Sequence, residues 1–191
     1  MRTGYIVSAC IIIAVFVASL LVGGCSSQTS APVETGQASL VLTSNAFASS
    51  GALSARYTCN GEGVSPPLTW DNVPAGTRSF ALVLEDPDAP AGTFTHWVLY
   101  NIPGEQRELP ADLPLTRELE GGAIQGINSY KKTGYSAPCP PTGSTHRYIL
   151  TLWALDDRLD LSGMVDAATL KKAMEGHILG SGQLTGTYRG V

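Results

Sequence analysis

Residues 79–103 read SFALVLEDPDAPAGTFTHWVLYNIP. Two apolar runs with β-branched and aromatic residues, 79–86 and 94–102, flank a Pro/Gly-rich turn, and this predicts two strands. Side chains alternate across a strand, so Phe80, Leu82, Leu84 and Asp86 share one face of the first. The same rule groups Phe94, His96, Val98 and Tyr100 on the second. Both faces of both runs are largely apolar, as expected of central strands covered on two sides. An imidazole or carboxylate buried there without a partner costs roughly 1 to 3 kcal/mol, so Asp86 and His96 must meet each other, the backbone or a ligand.

Working outward, ASLVLTS at 38–44 and THRYILTLWALD at 145–156 carry further strand signals, which makes the chain mostly β. In the latter, His146, Tyr148, Leu150 and Leu152 fall on one face, and Arg147, Ile149, Thr151 and Trp153 on the other. Proline and glycine punctuate GVSPPLTWDNVPAG (63–76) and YSAPCPPTGS (135–144), predicting long ordered loops. One helix is expected, with Asp166 capping AATLKKAMEGHIL (167–179) and Leu170, Met174 and His177 or Ile178 on one stripe. His177 on that stripe reads as structural or half-exposed. There is no internal repeat.

The chain begins MRTGYIVSACIIIAVFVASLLVGGC, with one cation, Arg2, ahead of an apolar run and small residues before Cys25. This is a targeting segment. LVGGC resembles the lipobox of bacterial lipoproteins, which implies cleavage before Cys25 and lipid on the new N-terminal cysteine. An uncleaved anchor is the competing reading. Residues 1–24 are therefore expected to be a signal peptide, 25–38 a lipidated cysteine with a Ser/Thr/Pro/Gly-rich tether, and 39–191 one domain. Losing Arg2 takes the net charge from −4 to −5, which argues against nucleic acid as a partner. The expected location is the cell envelope, lipid-anchored and facing outside the cytoplasm. Of the four cysteines, Cys10 leaves with the leader and Cys25 takes lipid, so Cys59 and Cys139 remain. Outside the cytoplasm such a pair is most simply a disulfide; two unpaired cysteines or one reactive thiol are the alternatives.

Taken alone, DPDAP is a turn that ends a strand. Two of the three histidines, however, sit with the acids at strand ends beside Gly/Pro-rich loops, where sites are carried. His96, His146, the Tyr148 hydroxyl and backbone N–H groups of KTGYSAPCPPTG (132–143) together suit a small anion, phosphate above all. Asp86 and Asp88 would accept imidazole N–H bonds and raise the histidine pKa values. No His-x-x-x-His or Cys-x-x-Cys spacing supports a metal, no G-x-S-x-G elbow supports a nucleophile, and no cofactor is called for.

DPDAPAGTFTHWVLYNIP (86–103), GINSYKKTGYSAPCPPTGSTHRYILTLWALD (126–156) and YTCNGEGVSPPLTW (57–70) resemble the phosphatidylethanolamine-binding protein family, in particular its bacterial branch labelled Raf kinase inhibitor-like. The likeness runs from about Ser39 to Tyr188. It implies a central antiparallel β-sheet, a second small sheet, a C-terminal helix and an anion pocket at one end of the sheet. By resemblance the pocket comprises Asp86, Asp88, His96, His146 and Tyr148, with the backbone of Ala137, Pro138, Cys139 and Pro140 as a wall. Ala137 stands where the family commonly has glycine. The functions implied are a membrane-anchored, non-enzymatic binding protein for a phosphate-bearing small molecule or phospholipid head group, or an inhibitor of a protease or other envelope enzyme through a protein target.

Overall fold

A computed structural model describes residues 38–191. The leader, Cys25 and all of the expected tether but its last residue lie outside the described residues. Nine strands and one α-helix follow in chain order among the described residues: β1 (Ala38–Ser39), β2 (Val41–Thr43), β3 (Leu68–Asp71), β4 (Ser79–Asp86), β5 (Phe94–Pro103), β6 (Glu108–Leu109), β7 (Ile124–Gln125), β8 (Thr145–Leu155), α1 (Ala167–Ala173) and β9 (Ile178–Arg189). They form a six-stranded sheet in the order β1-β9-β8-β4-β5-β7 and a three-stranded sheet in the order β2-β3-β6. All pairs are antiparallel except β1 with β9, which makes the large sheet mixed at one edge rather than wholly antiparallel.

The central strands are covered on both faces. Phe80, Leu82 and Leu84 of β4, Trp97 of β5 and Leu150 and Leu152 of β8 pack with Leu42, Leu68 and Trp70 of the small sheet. On the opposite face Ala81, Val83, Val98 and Tyr100 pack with Val165, Leu170 and Met174 around α1. Each fully buried Leu, Phe or Val contributes about 1.5–3 kcal/mol, so these two layers hold the sheet in place.

Several expectations need correction. ASLVLTS is not one strand: the chain pairs with β9 through Ala38 and Ser39, then passes at Leu40 into the small sheet, where Val41 faces Asp71. LTWD, assigned to a loop, is β3 of that sheet. The helix is shorter than its hydrophobic stripe, because Met174 is its C-cap and Gly176 turns left-handed at φ 85°. Asp166 caps it as expected, its side chain accepting the Thr169 N–H at 2.9 Å. His177 lies past the helix, with Nδ1 2.8 Å from Asp156 Oδ1 on the surface.

ILGSGQLTGTYR, where no strand is expected, is the twelve-residue β9. Its glycines admit a neighbouring backbone: a Cβ on Gly182 would sit 2.4 Å from the Leu40 carbonyl oxygen. Gly182→Ala must therefore push back the segment that switches sheets, and we expect a loss of about 1–3 kcal/mol from overpacking. Thermal unfolding checks this; an unchanged midpoint would contradict the close approach of Leu40 to β9.

Candidate functional site

A cavity of about 220 Å³ lies at the end of the sheet where β4 stops and β5 and β8 start. Asp86, Ala89, Pro90, Phe94, His96, Tyr130, Cys139, Pro140, Pro141 and His146 line it. Asp86, His96 and His146 are all buried, at 3%, 5% and 6% exposure, so their polar atoms depend on protein or ligand partners.

Strict alternation brings Asp86 and His146 here, but not His96. Leu84 faces Trp97 while Glu85 faces Thr95, so β5 spends one more residue than β4 at that step. The extra residue is a β-bulge. It frees His96 from the Val98 and Tyr100 face and turns it against Tyr148, with ring centroids 5.3 Å apart. Phe94 packs on His96 at 4.8 Å and Tyr130 on Phe94 at 4.7 Å, an aromatic side to the cavity. Phe94 carried a hint in its i, i+2 relation to His96. Tyr130 had no signal, because only the tertiary fold brings its loop here.

His146 donates from Nδ1 to Asp86 Oδ2 at 2.7 Å. His96 donates from Nδ1 to the Ser136 carbonyl at 2.8 Å. Both partners are acceptors, so both Nδ1 atoms carry hydrogen. Neither Nε2 has a hydrogen-bond partner among the described residues. Each Nε2 is then an acceptor on the neutral ring and becomes a donor when the ring is protonated. Burial pushes the His96 pKa down from its usual 6.5, outweighing the upward pull of its bond to Ser136 and of Asp86. Asp86 thus pulls the His96 pKa up as expected, but the net shift is down because burial outweighs it. Tyr148 is 1% exposed and its hydroxyl has no partner among the described residues. Burial first, then Asp86, raises its pKa, so the hydroxyl remains a donor.

Asp88 does not line the cavity; its carboxylate takes bonds from Arg147, with Nη2–Oδ1 at 2.7 Å and Nε–Oδ2 at 2.9 Å. It accepts from no imidazole. Tyr148, Ala137 and Pro138 are likewise outside the lining, whereas Pro141 is in it. The loop offers less than the expected cradle of N–H groups, since Pro138, Pro140 and Pro141 have none. Cys59 and Cys139 are joined in a disulfide across 80 residues, which fixes this loop to the turn Ala55–Tyr57 and its neighbours. No group of three or more His, Cys, Asp or Glu placed to hold a metal ion occurs among the described residues. No helix among them is long and apolar enough to cross a membrane. A separate groove of about 470 Å³, largely apolar, is lined by Leu109, Pro110, Leu113, Pro114 and Leu119 together with Asp112, Glu120 and others.

The family model described as phosphatidylethanolamine-binding protein matches residues 43–189. The chain belongs to this family. A UPF0098 protein of Methanothermobacter thermautotrophicus is 46% identical over 148 residues, covering 78% of this chain and 97% of the relative. One from Chlamydia muridarum is 40% identical over 156 residues, covering 77% and 97%. Among solved structures, a phosphatidylethanolamine-binding protein homolog from Chlamydia trachomatis superposes with a TM-score of 0.73 at 35% identity, covering 80% of this chain and 99% of that one. E. coli YbcL, described as a member of the mammalian family, gives 0.73 at 31% identity, covering 78% and 98%. In this phosphatidylethanolamine-binding protein family member the matched residues, 43–189, include the cavity lining, both cysteines of the disulfide and every strand except β1 and most of β2.

Proposed function

We propose that this protein is a lipid-anchored, non-enzymatic binding protein of the cell envelope, facing outside the cytoplasm, whose small cavity takes a phosphate-type anion or phospholipid head group. The observation that carries the reading is the pair of buried imidazoles in one cavity, each with Nδ1 committed to an acceptor and Nε2 free among the described residues. Protonated, they present two N–H donors. His146 as a cation offsets Asp86, and His96 as a cation adds one net positive charge, which suits an anion. The Tyr148 ring, edge-on to His96 with centroids 5.3 Å apart, backs that imidazole from outside the lining. The apolar remainder of the lining, Phe94, Tyr130, Pro140 and Pro141, suits the carbon part of a phosphate ester.

Lipid anchorage rests on the lipobox-like LVGGC and Cys25. The Cys59–Cys139 disulfide supports a compartment outside the cytoplasm. Placement in the bacterial Raf kinase inhibitor-like branch rests on the sequence motifs, and such a name carries no kinase role over to an anchored envelope protein.

Calorimetric titration of the full chain with phosphorylethanolamine and, separately, inorganic phosphate tests the reading. Saturable binding of the ester, tighter than inorganic phosphate because the carbon chain meets the aromatic side, is expected. No heat with either would overturn the anion reading and turn attention to a protein target, for which the 470 Å³ groove is the available surface.

A further inference from the structure

We propose that the Asp88–Arg147 pair is a positioning latch: it holds Asp86 in line with His146, and so sets anion affinity without touching the anion. The inference rests on the anion-pocket reading above for its effect on affinity, though not for the geometry. Glu85 and Ile149 are the last partners of the β4–β8 ladder on the side of the cavity. Beyond them side chains replace the ladder. The Arg147 backbone N–H donates to Asp88 Oδ2 at 2.8 Å, and the guanidinium adds Nε to the same oxygen and Nη2 to Oδ1. One carboxylate thus stands in for a strand carbonyl and closes a two-pronged bond to the same arginine.

From there the bonds lead inward. The Asp88 N–H donates to Asp86 Oδ1 at 2.8 Å, while Asp86 Oδ2 accepts from His146 at 2.7 Å. Both oxygens of the buried carboxylate are therefore set, one by the imidazole and one by the turn that Arg147 grips. The Arg147 side chain is 57% exposed and absent from the cavity lining, so its link to the site runs through Asp88. Those bonds hold the Asp88 carboxyl down at about 2, which keeps the latch charged at any pH near neutral.

A different role for Arg147, direct attraction of the anion by its charge, makes the opposite forecast for one variant. Asp88→Asn would then release Arg147 and strengthen binding. A positioning role predicts that Asp88→Asn and Arg147→Ala each weaken phosphorylethanolamine binding about tenfold, and that the double variant is little worse than either, since contacting residues are not additive. The second readout needs no ligand: the His146 Nδ1–H, followed by nitrogen-15 imidazole spectra, exchanges with water about tenfold faster in both variants because its acceptor is no longer fixed. Stronger binding by Asp88→Asn, additive losses in the double variant, or unchanged exchange in folded variants would each overturn the latch. If the parent chain binds no anion, the pocket reading fails and the exchange rates alone decide the latch.

Discussion

His146→Ala is expected to lower the affinity of the full chain for phosphorylethanolamine by about 100-fold or more, the largest effect of any single change in the cavity. The charge-assisted bond it makes to the anion contributes about 1.5–3 kcal/mol. Its removal also leaves Asp86, 3% exposed, as an uncompensated negative charge facing the ligand. At an effective dielectric of about 20 and a separation of ~5 Å, that repulsion adds roughly 3 kcal/mol. Breaking a buried pair destabilises the fold as well, by about 3–5 kcal/mol, so loss of binding through unfolding must be separated from loss of the donor. Asp86→Asn with His146→Gln removes both charges together, puts in their place amide groups that can bond to each other, and avoids an unpaired ion. The double variant is expected to keep the parent's circular dichroism and lose binding. A folded double variant with parental affinity would remove the imidazole–carboxylate pair from the account.

Replacing both Cys59 and Cys139 with serine is expected to lower stability by about 4–5 kcal/mol, the chain-entropy value for a loop of this length. The closed segment spans 80 residues and contains β3 to β7. For a domain of this size such a loss lowers the melting temperature by roughly 10–15 °C. The loop that carries Cys139 is also tied by the Cys59 N–H to the Pro138 carbonyl at 3.0 Å, by the Tyr135 hydroxyl to the Tyr57 carbonyl at 2.6 Å, and by Ser136 to His96 through both backbone and ring. The double serine variant should therefore stay folded at 20 °C and bind anion more weakly, because Cys139 and Pro140 line the cavity. Melting within about 3 °C of the parent would mean that the non-covalent ties alone fix the loop and that the entropic argument does not apply here.

The parts of the fold legible from sequence are those whose environment is uniform along the run. β4, β5 and β8 are buried on both faces, so a plain apolar run marks them, and 79–86 agrees with β4 residue for residue. β9 was hidden because its glycines serve the close approach of Ala38 and Leu40 rather than strand propensity. The change of sheet at Leu40 is a tertiary event with no local mark. Asp86, His146 and Tyr148 follow from alternation, since β4 and β8 pair without a shift from Ser79 to Glu85. His96 enters the cavity only through the bulge at Thr95–Trp97, which alternation does not foresee. Asp88 pairs with Arg147 rather than with the histidines because that fork depends on how far two strands part, and spacing in the chain does not encode that.

Calorimetry with glycerophosphoethanolamine at pH 6 and pH 8 shows whether protonated histidines hold the anion. This ligand is a phosphodiester, so its phosphate keeps one negative charge across the range and any pH effect belongs to the protein. Burial holds His96 below the usual imidazole value, hence neutral near pH 7, and an anion must draw a proton onto it. Uptake of one proton weakens binding by up to about tenfold for each pH unit above the pKa. Clearly tighter binding is therefore expected at pH 6, with proton uptake that shows as a dependence of the heat on the buffer's own ionisation enthalpy. Equal affinity at both pH values with no proton taken up would contradict a pocket that binds its anion through protonated histidines.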